Sequence, residues 1–553
     1  MLYLTHRAGV AATVLGEEAV RRLVFPIIVM DARDMVSPFV LLEGESPRGV
    51  FLSEAESPVL EAARPCPVVL YGFYFTWDSP GPRPSLAESV ASASAGGSLL
   101  LDPQSPIGLL QALRAHVPVR VADGPLPSEV WVSSLSRSEV EAAWSAAEGD
   151  VRGAALRAAR YLRDPRAVEA LQIEPPKRFA TLDRTLGEAD LGSVLATAPI
   201  HVQGLTGLAL EDVTQLEAAA VFCRGADEVA LITRSDKIPA EGRRPRRYPN
   251  IVEAVADVAS DPLGYEELHL SSGIAQRLFE HRARPVPASA VLRRWEDRMA
   301  GANVAGFLLA SMSAIQSIEY AIDAAVRLRS AGQEYTEADL ATKYNDAVRR
   351  FAETVGLPDQ IRPSFRIIQA GERTLYPALA TPYPIGDRTR TIKLDMGNRV
   401  LDRRGLIRGT SDLARTCTFD PEATAMAALL DDFVRKSLWT SLIAGKSGVE
   451  VYRDGIGILR VLEPRIRSLG FLPTGRSVEG YRRDCGHSLG RQGCCSVHFG
   501  AGEAGVLEDS MVACTEVVWP VGGNSFAQED AWFLTPGGPV NLTRHTGFVW
   551  GDE

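Results

Sequence analysis

The chain has 553 residues, of which 46% are hydrophobic and 23% charged, a composition typical of a folded protein with several domains rather than a disordered one. Its net charge of −10 argues against a general nucleic-acid binder. No uninterrupted apolar run reaches the roughly 18 residues of a membrane-spanning helix, and charged residues interrupt any N-terminal leader. Because the seven cysteines are odd in number, we expect reduced thiols in a cytoplasmic protein that contacts no membrane.

Helices and strands are predicted in a repeated order along the C-terminal half. Apolar periodicity and end signals predict helices at 296–329, 337–355, 422–444 and 455–468. Thr336 and Asp339 form a capping-box pattern at the start of the second of these helices. Strands are predicted at 364–369, 391–396 and 412–419, with further strands around His487, Glu516 and Glu529. Two helices followed by strands, twice over, predict an α/β (α+β) domain built of pseudo-twofold halves.

Five residues able to bind metal follow one another in the last third of the chain: Asp395, Asp412, His487, Glu516 and Glu529. Four carboxylates and one imidazole suit a pair of hard divalent ions, because carboxylates can bridge two cations and one nitrogen can orient one of them. Taken singly, each residue has an ordinary structural explanation, such as a turn aspartate or a buried, hydrogen-bonded histidine. The joint pattern favours a metal site.

The segments around these residues resemble motifs of the creatinase, aminopeptidase P, prolidase and methionine aminopeptidase family, which has the pita-bread fold. The segments are Lys393-Leu-Asp-Met-Gly, Ser411-Asp-Leu-Ala-Arg-Thr, Gly486-His-Ser-Leu-Gly, Met511-Val-Ala-Cys-Thr-Glu, and Gln528-Glu-Asp followed by Leu534-Thr-Pro-Gly-Gly. The resemblance implies two divalent ions (Mn, Fe, Co or Zn), with Asp395 on one ion, Asp412 and Glu529 bridging both, and His487 and Glu516 completing the other. It also implies a bridging water as nucleophile, whose proton Glu516 passes onward.

The N-terminal half resembles the non-catalytic N-terminal domains of the same family. Ala198-Pro-Ile-His-Val-Gln-Gly-Leu-Thr-Gly is similar to a segment of those domains, and Leu2-Tyr-Leu-Thr-His to a shortened copy of it. Helices over 136–160 and from 290 onward resemble the family's interdomain linker. The implied layout is a truncated creatinase-like domain over 1–165, a second creatinase-type domain over 166–290 and a pita-bread catalytic domain over 291–553. An unrelated α/β domain is the alternative for the first segment. The resemblance also implies a homodimer in which His201 helps to bind substrate, although His201 could instead cap a strand within its own domain.

The chain departs from the family at two histidines. Peptidases of the family carry a histidine seven residues after the metal-binding one, where this chain has Cys494 followed by Cys495. A further family histidine lies upstream of the Asp-x-Gly strand, where this chain has Arg373-Thr-Leu-Tyr-Pro, and this makes Tyr376 a candidate catalytic residue. In the peptidases those imidazoles bind the substrate carbonyl and assist departure of the amine. Ordinary Xaa-Pro peptidase activity is therefore not expected.

Three further side chains are candidates at the site. Cys494 is a candidate substrate-facing thiol, and the alternative is a small buried hydrophobe. His498 could supply an imidazole to the substrate, against a surface or core role. The 17-residue spacing from Asp395 to Asp412 is longer than the family usually shows, so the loop carrying Arg404 is predicted to border the substrate.

Three classes of function remain open. The preferred hypothesis is a dinuclear metallohydrolase that cleaves a C–N bond in a small or peptide-like substrate. The alternatives are a lyase or oxidative enzyme of specialised metabolism that uses the same metal site, and a non-enzymatic pita-bread binding protein. A binding protein without enzymatic activity is expected to have lost some of the metal-ligating residues. All five are present here, which disfavours that class.

Overall fold

A computed structural model describes residues 2–15, 28–29, 35–36, 39–53, 68–71, 84–124, 128–146, 148–235, 244–281, 284–375, 379–481, 484–491, 493–521 and 524–551. These residues form two compact units. The first unit contains the described residues of 1–143 and 182–292, and the second those of 144–181, 293–375 and 379–551. Residues 144–181 thus pack with the C-terminal part of the chain, whereas the division into domains at 1–165, 166–290 and 291–553 stays a prediction.

The elements are numbered in chain order. Those up to residue 136 are β1 (Leu2–Thr5), α1 (Ala8–Leu15), β2 (Ile28–Val29), β3 (Met35–Val36), β4 (Phe39–Glu43), β5 (Ser46–Ser53), β6 (Val68–Tyr71), α2 (Leu86–Ala93), β7 (Leu99–Leu101), α3 (Ile107–Arg114), β8 (Val119–Val121) and β9 (Ser128–Ser136). Those from 137 to 298 are α4 (Arg137–Ser145), α5 (Glu148–Ala159), α6 (Arg166–Ala170), α7 (Arg178–Glu188), β10 (Ser193–Ala196), α8 (Pro199–Thr206), α9 (Leu210–Gln215), β11 (Ala219–Cys223), β12 (Glu228–Thr233), β13 (Arg246–Asn250), α10 (Ile251–Val258), β14 (Leu263–Tyr265), α11 (Ser272–His281), β15 (Pro285–Pro287) and α12 (Ser289–Arg298).

The remaining elements form most of the second unit. They are α13 (Val304–Ser330), β16 (Tyr335–Thr336), α14 (Glu337–Thr354), β17 (Ile361–Ala370), β18 (Pro384–Ile385), β19 (Thr391–Leu401), β20 (Ile407–Thr410), β21 (Leu413–Thr418), α15 (Pro421–Asp432), α16 (Gly448–Ser468), α17 (Val478–Tyr481), β22 (Asp484–Gly490), β23 (Gly493–Gly500), β24 (Val512–Val521), β25 (Asn524–Thr535) and β26 (Gly538–Asn541). Short 3-10 turns cover Ala300–Asn303, Gly371–Leu375 and Leu438–Ser441, and a π turn covers Phe433–Ser437.

The first unit contains two mixed sheets with the same internal order. Five strands run β5-β4-β1-β7-β8 in one sheet and β12-β11-β10-β14-β15 in the other. In both sheets the first three strands pair antiparallel and the last three parallel. A buried acid follows the corresponding strand in each sheet, Asp102 after β7 and Glu266 after β14. Two sheets with one connectivity are the pattern that a duplicated domain produces.

The second unit is built from two halves of helices on a sheet, as the sequence predicts. Helices α13 and α14 pack on β19 and β17 of a four-stranded sheet, and α15 and α16 pack on β25 and β23 of a five-stranded one. Strands β21 and β25 join the halves, where Thr416 Oγ1 donates to the carbonyl oxygen of Ala527 at 3.0 Å. The metal-ligand candidates lie on strands of both sheets and on the connection from β20 to β21.

One predicted helix start is confirmed and two predicted helices differ from the structure. The capping box predicted for Thr336 and Asp339 is present at the start of α14. The helix predicted over 296–329 is broken after α12, where the side chain of Asn303 donates to the carbonyl oxygen of Met299 at 3.1 Å and so competes with the backbone. The helix predicted over 422–444 ends at Asp432 and continues as a π turn followed by a 3-10 turn.

Among the residues that the structure describes, one helix has the length and composition of a membrane span. The stretch Ala300–Ser330, which includes α13, passes that test, but 89% of its most apolar window is buried inside the protein. It packs against β19, β20 and α14. These contacts make α13 the central core helix of the second unit.

A glycine pair sets the distance between α13 and β20. A Cβ atom added to Gly306 would lie 2.1 Å from the carbonyl oxygen of Arg408, and one added to Gly409 would lie 2.3 Å from the carbonyl carbon of Gly306. These distances are well below van der Waals contact with backbone atoms. The helix can therefore cross the strand this closely only because neither residue has a side chain.

We expect Gly306→Ala to lower the free energy of unfolding by about 1–3 kcal/mol, because the backbones must separate to admit the methyl group. Gly457→Ala is the matched control, since Gly457 is exposed on α16 with no atom within 4 Å of an added Cβ. That change should be neutral or stabilising by up to about 1 kcal/mol. Urea unfolding measures both values, and equal stabilities for wild type and Gly306→Ala would contradict the close-packing explanation.

Candidate metal centre

Four strands and one connection carry the five predicted ligands. Asp395 lies in the middle of β19, and Asp412 lies on the short connection from β20 to β21. His487 is on β22, while Glu516 on β24 and Glu529 on β25 are directly opposite each other in an antiparallel pair. Because side chains directly opposite in a ladder share a face, the two glutamates project to the same side of the sheet.

Three of the five ligand residues converge on one point. One ligand atom from each of Asp412, His487 and Glu529 lies within 4.8 Å of the other two. His487 Nε2 is 3.8 Å from both Asp412 Oδ2 and Glu529 Oε1. The buried Glu529 Oε1 has no hydrogen-bond partner among the residues that the structure describes. A cation between these groups would satisfy an oxygen that is otherwise costly to bury.

The other nitrogen of His487 fixes the orientation of its ring. Nδ1 lies 2.9 Å from the carbonyl oxygen of Ser488, and since that oxygen only accepts, Nδ1 carries the proton and Nε2 presents its lone pair. The residue before His487 must be glycine. Gly486 has a φ of +127°, and a Cβ atom added to it would lie 2.0 Å from the carbonyl oxygen of Cys514. The strand of His487 can therefore approach β24 closely.

A buried aspartate anchors the hairpin that carries His487. Asp297 Oδ2 accepts hydrogen bonds from Ser488 Oγ and from the backbone N–H of Ser496, each at 3.0 Å. Ser488 Oγ in turn accepts from the N–H of Val497 at 3.0 Å. These bonds tie β22 and β23 to α12, so the position of His487 depends on a helix far away in sequence.

The strand that carries Glu529 is held by two arginines. Arg415 donates to the carbonyl oxygen of Glu529 and to Asp530 Oδ1, and Arg435 Nε lies 3.2 Å from Asp530 Oδ2. Asp530 is fully buried, and the guanidinium groups balance its charge. Glu529 is thereby kept on the opposite side of β25 from its charged neighbour.

Burial is the largest influence on the ionisation of the site. It raises the pKa of Asp395 to about 7 and that of Glu516 to about 8. The pKa of Asp412 is also raised by burial, and that of Glu529 lies well above its ordinary value because of burial and the neighbouring acids. Carboxyl groups in this state need a nearby positive charge to ionise at neutral pH, so the donor set fits a divalent cation.

Sequence inspection missed two charged residues beside the ligands. Burial lowers the pKa of Lys393 to about 8, against the opposing influence of Asp395 and Glu516, and Asp484 helps to raise the pKa of Glu516. Lys393 lies two residues before Asp395 on one strand, and Asp484 three residues before His487 on another. The period of two along a strand was the available signal for Lys393.

The candidate substrate residues have different placements. His498 pairs with His487 across β22 and β23, and the ring centroids are 6.1 Å apart. Arg404 is exposed at the turn after β19, where its backbone N–H donates to Asp402 Oδ1 at 2.8 Å. His201 is buried in the first unit, where its Nδ1 bonds to Glu266, which also accepts from the N–H of Ala198 at 2.6 Å.

Tyr376 lies outside the described residues, and so do the side chains of Cys494 and Cys495, although their backbone belongs to β23. The catalytic roles predicted for Tyr376 and Cys494 therefore stay predictions. Cys417, Cys485 and Cys514 are buried, as cysteines that serve as small hydrophobes are.

Structural comparison identifies the fold. The X-prolyl aminopeptidase of Caenorhabditis elegans, described as a cytosolic enzyme with a di-nuclear active site, matches with a TM-score of 0.56 at 12% identity, covering 100% of this chain and 88% of that one. The N-terminal domain of the FACT complex subunit SPT16 from chickpea matches at 0.50 with 12% identity, covering 68% and 96%. The Xaa-Pro dipeptidase of Bacillus anthracis matches at 0.47 with 15% identity, covering 66% and 96%.

No protein-family model and no curated protein matches the sequence. The match to the X-prolyl aminopeptidase, which covers this whole chain, confirms the resemblance and the fold class inferred from the motifs. At these identities the likeness establishes the fold alone.

The raised carboxyl pKa values predict a specific pH dependence of stability. A carboxyl whose pKa is higher in the folded protein than in the unfolded chain binds its proton more tightly when folded, so stability is lost as the pH rises through the folded pKa. For Asp395 and Glu516 those values are about 7 and about 8. We expect the melting temperature of metal-stripped protein to fall between about pH 5 and pH 8, and Mn²⁺ to raise it most at pH 8.

Differential scanning fluorimetry with and without Mn²⁺ measures this dependence. Glu516→Gln is the control, because the neutral amide cannot titrate and should flatten the decline. A stripped wild-type protein whose melting temperature stays constant or rises over that interval would contradict the electrostatic description of the site.

Proposed function

We propose that this pita-bread protein is a divalent-metal-dependent hydrolase that cleaves a C–N bond in a small or peptide-like substrate. The observation that carries the proposal is the convergence of Asp412, His487 and Glu529, whose ligand atoms lie within 4.8 Å of one another. The fold alone does not decide, because it occurs both in an X-prolyl aminopeptidase and in a subunit of the FACT complex. The ligand set therefore carries the functional argument.

The donor chemistry supports Mn, Fe, Co or Zn, because carboxylate oxygens with a single imidazole nitrogen suit these ions. Asp412, His487 and Glu529 would hold the ion, with Asp395 and Glu516 beside them. A divalent ion supplies Lewis-acid activation of water at neutral pH. Glu516 beside the ion would take up a proton and deliver it to a departing amine.

His498 is the imidazole available on the substrate side of this proposal. The family's second histidine is replaced by Cys494, but the register of β22 and β23 brings His498 opposite His487 instead. The ring is half-buried beside the metal ligand. In this proposal His498 donates a hydrogen bond to a substrate oxygen. Cys494 and Tyr376 stay candidate catalytic residues, and Arg404 and His201 bind more distant parts of the substrate.

One alternative has a specific observation in its favour. Replacement of the two assisting histidines of the family peptidases, one of them by Cys494, favours changed chemistry at the same metal site, such as a lyase or oxidative reaction.

We also propose that the protein is cytoplasmic, that it forms a homodimer and that it has the three-domain layout given above.

Asp412 and Glu529 are the first variants to test. We expect the double variant Asp412→Ala, Glu529→Ala to lose its bound divalent ion, because each carboxylate supplies an oxygen to the convergent group. Glu422→Ala is the control, since Glu422 is an exposed acid with 70% side-chain exposure at the start of α15. Metal analysis after gel filtration in Mn²⁺ measures the Mn²⁺ content per chain. Stoichiometric Mn²⁺ in the double variant would contradict the assignment of Asp412 and Glu529 as metal ligands.

Substrate tests separate the proposed enzyme from an ordinary prolidase. With saturating Mn²⁺, Xaa-Pro dipeptides and tripeptides should be turned over poorly, at least about 100-fold more slowly than by a prolidase, because the assisting imidazoles are missing. Cys494→His should raise the rate by restoring one of them. Wild-type turnover equal to that of a prolidase would show that other side chains replace the two histidines. Amine release from a wider panel of amides, abolished by Asp412→Ala, is the positive test of hydrolysis.

A further inference from the structure

A cavity of about 330 Å³ in the second unit is lined by two tryptophans and three arginines. A volume of this size is typical of sites that bind small organic molecules. The residues on which the argument depends are Arg163, Arg166, Trp439, Trp532, Asn541 and Arg544. None of them is a candidate metal ligand.

The cavity and the candidate metal ligand Glu529 are on opposite faces of the five-stranded sheet. Trp532 follows Glu529 by three residues on β25, so the two side chains project to opposite sides of the strand. Asn541 on β26 is directly opposite Trp532 in the antiparallel ladder and therefore shares its face. A molecule bound in the cavity would thus be separated from the metal centre by the sheet.

The two tryptophans give the cavity a flat apolar wall. Their rings are stacked, with centroids 5.5 Å apart and planes 16° from parallel. Trp532 is buried, and its Nε1 donates to Thr515 Oγ1 at 2.9 Å, which fixes the inner ring. Trp439 lies half-buried on the 3-10 turn that follows the π turn. A planar ring in the cavity can therefore pack against indole.

The arginines give the same cavity an unbalanced positive charge. Arg166 is neutralised by Asp164, since Nη2 of the arginine lies 2.7 Å from Oδ2 of the aspartate. Arg163 donates from Nε to the carbonyl oxygen of His545 at 3.0 Å, which is a neutral acceptor. Neither Arg163 nor Arg544 forms an ion pair with an acid in the part of the chain that the structure describes. These two guanidinium groups favour an anion and disfavour a cation.

Asn541 holds the turn that carries Arg544. Its Oδ1 accepts from the backbone N–H of Thr543 at 2.9 Å and from that of Arg544 at 2.5 Å. Its Nδ2 is buried and has no hydrogen-bond partner among the described residues. An oxygen atom of a bound anion would satisfy this donor, which is otherwise costly to bury.

We propose that this cavity is a second binding site, and that it takes a small organic anion in which a carboxylate or phosphate is joined to an aromatic ring. The ring packs on Trp439, and the acidic group pairs with the guanidinium groups of Arg163 and Arg544. A simple inorganic anion would leave the tryptophan wall unused, and a neutral ring would leave the positive charge unbalanced. The inference does not rest on the proposed function, because no metal ligand takes part in it.

The test is ligand binding to full-length protein, measured as Kd by isothermal titration calorimetry and ligand-observed NMR. Phenyl phosphate and phenylacetate are the acidic aromatic probes, inorganic phosphate lacks the ring, and benzyl alcohol lacks the charge. The site variants are Arg544→Met and Trp439→Leu. Arg460→Met is the matched control, because Arg460 is on α16 with 58% side-chain exposure. The double variant Asp412→Ala, Glu529→Ala tests whether the metal centre is involved.

We expect at least one acidic aromatic probe to bind the wild type with a Kd between about 10 µM and about 1 mM. Arg544→Met and Trp439→Leu should each weaken this binding at least about 10-fold, because one removes a charge-assisted hydrogen bond and the other the stacking surface. Phosphate and benzyl alcohol should bind at least about 10-fold more weakly than that probe. Arg460→Met and the double variant should keep the wild-type affinity, and the tighter acidic probe identifies the acidic group.

Several results would overturn the inference. They are no binding of either acidic probe at millimolar concentration, unchanged affinity in folded Arg544→Met or Trp439→Leu, and equally tight binding of phosphate or benzyl alcohol. Loss of binding in the double variant would assign the probe to the metal centre instead. If Trp439→Leu does not fold, Arg544→Met decides, because the side chain that it changes has no ion-pair partner to lose.

Discussion

Carboxyl groups gathered away from water are the constraint on which the second unit depends. Asp395, Asp412, Glu516 and Glu529 all have raised pKa values because burial penalises their charge. A positive charge near such a group, as from a divalent ion, favours its ionised form at neutral pH. Protein stability, metal binding and catalytic capacity are consequently linked through the same set of groups.

The surrounding fold holds these groups in position against their repulsion. Arg415 and Arg435 neutralise Asp530 behind Glu529, and Asp297 anchors the hairpin of His487 through Ser488. The glycine pair of α13 and β20 brings a core helix close to the sheet that carries Asp395. None of these residues is a ligand, yet each restricts where a ligand can move. A preorganised site of this kind gains affinity because little is left to order when a cation binds.

The likeness to known proteins concerns the scaffold more than the chemistry. A fold shared by an X-prolyl aminopeptidase and by a subunit of the FACT complex leaves the reaction open. Individual residues of this chain bear more directly on its reaction than the fold does. The chain has Cys494 where the family has its second histidine, and Lys393 two residues before Asp395. His498 reaches the side of His487 through a shifted register of β22 and β23.

The sequence by itself determined which candidate metal ligands the chain carries, their order and the alternation of helices and strands. Local signals were enough for the capping box of Thr336 and for the strands of Asp395 and Glu529, because caps and strand periods depend on neighbouring residues. Only the tertiary structure showed that three of the five candidate ligands converge and that residues 144–181 pack with the C-terminal unit. It also decided the pairing of His498 with His487 and the end of the helix predicted over 422–444. Register, convergence and packing depend on residues far apart in the chain, so no local pattern could fix them.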